Sequence, residues 1–423
     1  MTSHKYFPIK TKTACVNKWT WSTIYFYTGR SSSCHRVAST WIDPENFDNF
    51  HNTEEKLNDR KLMLEGIWPS NKQGGVGCHY CKNIEDAGGV SERILSNTFP
   101  NISPDELYTD ISAVKVSPKI LEIYFDNVCN FACVYCESHL SSKINQEVKK
   151  FGEIKNKDRI LLKNTAKHPE HEKFLEQFWM WFSKNHQTLS RLHILGGEPF
   201  YQKETDKLIK FFDNHPSPNL EFNIVSNIGI EHSNFVNFID KIKALVNKRK
   251  IKRFDLTVSL DCLGPEAEYV RYGLNLDLWK KNFEYIVKEK WIYLNVNHTL
   301  SLLTIKTLPD LISYINQFRK NRKIHSTSGT VWNPKFLYPG IVGNNFFDKD
   351  FNKVLQLLKE NVNDDKMLTE YILGQKKQIG SMSRDDELLE DAVVYLNEID
   401  KRRKTDWKKT FPWLYELTKN NVV

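Results

Sequence analysis

Three cysteines, Cys129, Cys133 and Cys136, stand within the segment CNFACVYC. Their spacing lets one short loop wrap three thiolates around a single metal centre. Three protein ligands on a four-iron cluster leave one iron without a protein ligand, and an open coordination position is where a small chelating molecule binds. A structural zinc site needs four ligands, and His139, just past Cys136, is the candidate fourth. Ligand count therefore leaves an iron–sulfur loop and a zinc loop as readings, with the open three-ligand site favouring iron and sulfur.

A second set, Cys15, Cys34, Cys78 and Cys81, precedes the loop. The Cys78–Cys81 pair supplies two ligands from one knuckle, and the two distant cysteines complete a four-sulfur site suited to zinc or to an iron–sulfur cluster. His35 and His79 are alternative ligands, although four cysteines suffice. The eighth cysteine, Cys262, follows Asp261 directly. It reads as a hydrogen-atom donor, a further ligand, or an inert buried thiol. In a reducing compartment such clustering points to metal or catalysis and away from disulfides.

The elements that position these residues change character at residue 118. Before it, residues 1–117 read as an irregular small domain held by its metal, with one strand in WTWSTIYFY (19–27). From 118 to 340, strand patterns at 119–127, 191–195, 220–227, 253–261, 292–300 and 329–334 alternate with amphipathic helices. Such alternation predicts an α/β fold with parallel strands joined by right-handed crossovers, a partial (β/α)6 barrel with its active site at the C-terminal strand ends. Residues 341–423 read as a polar helical region.

The cysteine loop follows the first of these strands, and LGGEPF (195–200) follows the second. Adjacent glycines let a backbone approach a ligand closely, and the Glu198 carboxylate can receive an ammonium group. Polar residues close the next two strands, in VSNIG (225–229) and VSLD (258–261), and EYVRYG follows with Arg271.

This pattern resembles the radical S-adenosylmethionine (SAM) superfamily, whose loop is CxxxCxΦC with an aromatic Φ, here Tyr135. The resemblance implies a TIM-like partial barrel in which Cys129, Cys133 and Cys136 bind a [4Fe-4S] cluster whose open iron is chelated by SAM. It implies reductive cleavage of SAM to a 5′-deoxyadenosyl radical that takes a hydrogen atom from the substrate, with an electron donor such as flavodoxin or ferredoxin. Gly196, Gly197, Glu198 and Pro199 match the family's GGEP motif. Ser226, Asn227, Ser259, Asp261 and Arg271 stand where members of the family contact SAM. The N-terminal cysteines resemble the auxiliary-cluster domains called SPASM and Twitch, here ahead of the barrel, and imply a second [4Fe-4S] cluster or zinc. Many enzymes with such domains modify peptides or proteins, which makes a peptide the expected substrate. A sugar, an aminoglycoside, a cofactor precursor and a non-catalytic SAM-binding scaffold are the alternatives.

Composition narrows the classes. The formal charge of +8 comes with no basic–aromatic stripe, so a nucleic-acid partner is not expected. No apolar run is long enough to span a bilayer and the first residues lack a leader's apolar core, so the expectation is a cytoplasmic protein without a membrane partner.

Overall fold

The computed structural model describes residues 11–86, 88–98, 114–360 and 365–419. Most of the first fifteen residues, on which the leader reading rests, lie outside that set, as do parts of the N-terminal and C-terminal regions.

A single mixed sheet of nine strands organises the chain, in the order β13-β12-β10-β9-β8-β4-β1-β2-β3. Its strands are β1 (Trp21–Tyr25), β2 (Arg30–Ser32), β3 (Thr40–Trp41), β4 (Ile120–Tyr124), β8 (Arg191–Leu195), β9 (Ser217–Ser226), β10 (Ile251–Ser259), β12 (Tyr293–Leu300) and β13 (His325–Thr330). Two short pairs stand apart: β5 (Ala132–Cys133) with β11 (Arg271–Tyr272), and β6 (Ile154–Asn156) with β7 (Arg159–Leu162).

From β4 to β13 the strands of the main sheet are all parallel, as the alternation with helices requires. Helices His171–Asn185, Lys203–Asn214, His232–Asn247, Leu276–Lys288 and Leu308–Arg319 fall on the amphipathic segments of the sequence. The sheet has two edges and does not close. The last expected strand, at 329–334, is displaced to His325–Thr330, and the chain turns at the Asn333–Pro334 bond, where proline cannot donate to a ladder.

The N-terminal region is more regular than its sequence suggests. It carries helices Val16–Thr20, Glu54–Leu64, His79–Asp86 and Glu92–Thr98, and β1 lies parallel beside β4, with Thr23 opposite Glu122. Strands β2 and β3 extend the same sheet antiparallel. Its small core joins Ala14, Cys15, Trp19, Met63 and Cys78 to Ile120 of β4. Buried charge fills much of the remainder: Lys18 pairs with Asp59, and Arg60 donates to the Lys18 and His51 carbonyls.

Side chains alternate along most of the sheet. Leu121, Ile123, Leu192, Ile194, Phe222, Ile224, Leu256, Val258 and Val296 enter one continuous apolar core with the helices. The residues between them, among them Glu122, His193, Asn223, Asp255, Thr257 and Asn295, belong to the opposite face, because successive strand residues point to opposite sides. Parallel sheets covered on both faces read as continuous apolar runs, so this polar face is built for contact with something other than a helix. A second core unites Val134 of the cysteine loop with the C-terminal helices, where Tyr395 donates to the Val134 carbonyl at 2.8 Å. Among the described residues no helix is long and apolar enough to cross a membrane.

Candidate functional site

The loop carrying Cys129, Cys133 and Cys136 leaves the C-terminal end of β4 and is fastened at several points. Ser142 Oγ accepts from Cys129 N at 3.1 Å, and Ser141 Oγ donates to the Phe131 carbonyl at 2.6 Å while capping helix Ser142–Phe151. Cys133 lies opposite Arg271 in the β5–β11 pair. The three thiols are close neighbours, and charge on one disfavours ionisation of another. Burial, then Cys133, pushes the Cys129 thiol up to about 12, and burial raises Cys133 and Cys136 as well. Thiols so buried stay protonated at neutral pH unless a cationic centre takes the proton's place. His139 sits 3.2 Å from Glu137. Among the described residues no three His, Cys, Asp or Glu side chains converge as ligands of a single metal ion.

The Gly196–Pro199 turn follows β8, beside the loop. Glu198 N donates to the Val128 carbonyl at 2.7 Å, and Gly197 N to the Leu140 carbonyl at 3.2 Å. Both glycines have positive φ, 78° and 55°. A Cβ on Gly197 would stand 2.2 Å from the Val128 carbonyl oxygen, and one on Gly196 would strike the Tyr124 ring at 2.4 Å. Gly197→Ala is expected to cost about 1–2 kcal/mol for the left-handed backbone alone, and more for the backbone clash. A urea melt with an unchanged midpoint would show that the turn relaxes freely.

Glu198 is nearly inaccessible, and its oxygens accept from Ser226 Oγ at 2.7 Å, Asn227 N at 2.7 Å and Phe200 N at 3.2 Å. The carboxylate expected to meet an ammonium group is thus also the clamp between the turn and the end of β9. Burial, against those hydrogen bonds, pushes it up to about 7. Asn227 reaches Asn130 of the cysteine loop at 2.9 Å, and Asn130 in turn donates to the Gly229 carbonyl at 2.8 Å.

At the end of β10, Asp261 accepts from Tyr135 Oη at 2.6 Å, from Arg271 Nε and Nη2 at 2.9 Å each, and from Thr299 N at 2.9 Å. Ser259 lies two residues earlier, opposite Asn297 of β12. Every residue singled out around the three-cysteine loop therefore stands at the same end of the sheet. Cys262 does not join them. It is fully buried in the main apolar core, where burial raises its pKa, which fits an inert thiol.

The four N-terminal cysteines come together: Cys15, Cys34, Cys78 and Cys81 line one cavity of about 20 Å³ with Lys18, Arg36 and Arg93. Burial raises Cys15, Cys34 and Cys78, the last to about 11, and each feels the charge of its neighbours. Arg93 is held by Glu85 and by the Ala14 carbonyl, which locks the helix after the knuckle against the first cysteine. His35 turns away from this cavity to Glu122, 3.4 Å off.

Residues that motif reading passed over complete the site. Asn130 and Thr299 brace it, and Tyr124 packs under Gly196. Strand alternation was the available signal for Glu122 and Tyr124. Compared with models of protein families and with curated proteins, the chain matches none.

Proposed function

We propose that the chain is a radical SAM enzyme, with a [4Fe-4S] cluster on Cys129, Cys133 and Cys136, SAM against the Gly196–Pro199 turn, and a peptide or protein substrate on the polar face of the sheet. The observation that carries this reading is the direct contact of the cysteine loop with the Gly-Gly-Glu-Pro turn, through the Val128 and Leu140 carbonyls. Two glycine positions that admit no side chain, placed beside three neighbouring thiols of which Arg271 favours the ionisation of Cys129 and Cys133, fit a loop that holds a metal cluster with a small molecule lying across it. When bound, the cluster and SAM would supply one-electron cleavage of the sulfonium to a hydrogen-abstracting radical.

The chain's own residues have separable tasks. Glu198 fixes the turn to Ser226 and Asn227 and keeps lone-pair capacity for the methionine ammonium. Asp261, itself held by Arg271, holds Tyr135, so the loop residue before Cys136 cannot swing. The partly buried polar face below offers hydrogen-bonding groups to a substrate while the apolar core behind it stays dry.

The four-cysteine cavity fits a second metal centre by donor type. Four thiols around a void suit an iron–sulfur cluster or zinc by donor type. Lys18 beside the void favours the thiolates of Cys34 and Cys78.

The test is anaerobic reconstitution followed by incubation with SAM and dithionite. Wild-type protein should yield 5′-deoxyadenosine well above a protein-free control. No excess from protein carrying its full iron complement sinks the enzyme reading.

A further inference from the structure

Glu122 is a carboxylate in an unusual position. It is 3% exposed, central on β4 and on the polar face. Among the described residues its partners are Thr23 Oγ1 at 3.2 Å and the His35 ring at 3.4 Å, and no lysine or arginine pairs with it. Other carboxylates of the face are answered: Arg253 pairs with Asp255, and Arg191 with Glu221. Among the described residues the one counter-charge beside Glu122 is the His35 imidazole, and burial raises the Glu122 pKa, so a ligand cation beside it would favour the charged carboxylate.

Its surroundings are aromatic. Trp21 and Tyr25 flank it diagonally on β1, and Tyr124 follows it on the same face of β4. The Tyr25 and Tyr124 rings lie 4.7 Å apart, and Trp21 stacks on His193 at 5.4 Å. Aromatic faces attract organic cations, and a carboxylate among them adds charge and a hydrogen-bond acceptor. On the other side, His193 of β8 is the register partner of Glu122, and its Nε2 is buried without a hydrogen-bond partner among the described residues. Burial holds that imidazole neutral, with its pKa lowered to about 3, so the ring keeps one accepting nitrogen.

We infer that Glu122, His193 and the rings of Trp21, Tyr25 and Tyr124 form a binding site for a primary ammonium group of the substrate. An ammonium carries three donors and a positive charge. The carboxylate and the orphan imidazole nitrogen supply acceptors, and the rings supply the walls. A neutral hydroxyl would bring one donor and no charge to the carboxylate. The site lies directly below the Gly196 turn, because Tyr124 fills the space against that glycine. It lies beside the four-cysteine cavity, because His35 follows Cys34. That this ammonium belongs to a substrate rests on the reading above; that the site binds one does not.

The test is ligand-observed NMR titration of the purified full chain with benzylamine and with benzyl alcohol, without SAM or reductant. Benzylamine should bind at least tenfold more tightly, and Glu122→Gln should remove the preference by weakening amine binding. Equal binding of amine and alcohol to the wild-type chain, or a preference that survives in Glu122→Gln, overturns the assignment. Should the variant fail to fold, the wild-type comparison still decides. Because no radical step is involved, loss of this result and loss of 5′-deoxyadenosine formation are independent failures.

Discussion

Alanine at Cys129, Cys133 and Cys136 together will reduce 5′-deoxyadenosine formation to background. The three thiols are the donors at this end of the sheet that sit in one fastened loop, and the Glu198 clamp, Asn130 and Arg271 are arranged around them. Reconstituted wild-type chain should hold about eight irons if both sites carry [4Fe-4S] clusters, and the triple variant about four. The complementary variant, Cys78→Ala with Cys81→Ala, should also lose about four irons yet retain some SAM cleavage, since its ligands line a separate cavity. The triple change, at half-buried loop positions, should leave the far-ultraviolet circular dichroism unaltered. Cleavage that persists in the triple variant places the chemistry elsewhere. About four irons plus zinc in the wild type would reassign the N-terminal site alone.

Much of the fold is legible because its determinants are local. Each crossover helix carries its own apolar stripe, and each parallel strand is bounded by turn residues, so the order of elements from β4 to β13 follows from short windows of sequence. The cysteine loop and the Gly196–Pro199 turn are legible for the same reason, since ligand spacing and paired glycines are local facts. What joins distant segments is not. Nothing near Trp21–Tyr25 announces that this strand pairs in parallel with Ile120–Tyr124, because register between remote strands is fixed by packing and turns that no single window contains. The hidden partner of Gly196 is likewise a ring from another strand, Tyr124. Glu198 shows the limit of reading chemistry from type: a carboxylate beside two glycines invites a ligand, yet three hydrogen bonds from its own chain already hold it. The polar face was present in the sequence as alternation that breaks only at the strand ends, as in RLHIL and EFNIV. A window judged only for strand content passes over what alternation says about the uncovered side.

Asp261→Ala should be the most destabilising single change at the site, by about 3–5 kcal/mol, because it strands a buried guanidinium. Arg271 is 7% exposed and Asp261 1%, so neither can turn to water. Against burial, Asp261 is the main group holding the Arg271 pKa up, and because a guanidinium does not deprotonate in proteins, the cation persists after its partner is removed. The Thr299 amide and the Tyr135 hydroxyl lose their acceptor at the same time. Buried ion pairs are strongly destabilised by losing one member and far less by losing both. The double variant Asp261→Ala, Arg271→Leu should therefore be more stable than Asp261→Ala alone, with a coupling of at least about 1 kcal/mol in urea melts. SAM cleavage should separate from stability in that double variant. A core rebuilt with apolar side chains folds, but Tyr135 is no longer held and the strand pairing of Cys133 loses the side chain that anchored it. Additive effects in the melts would mean that Asp261 and Arg271 do not act as a unit. Full cleavage activity in a folded double variant would mean that the pair supports the sheet end and leaves the cysteine loop to be positioned by Ser141, Ser142 and Asn130.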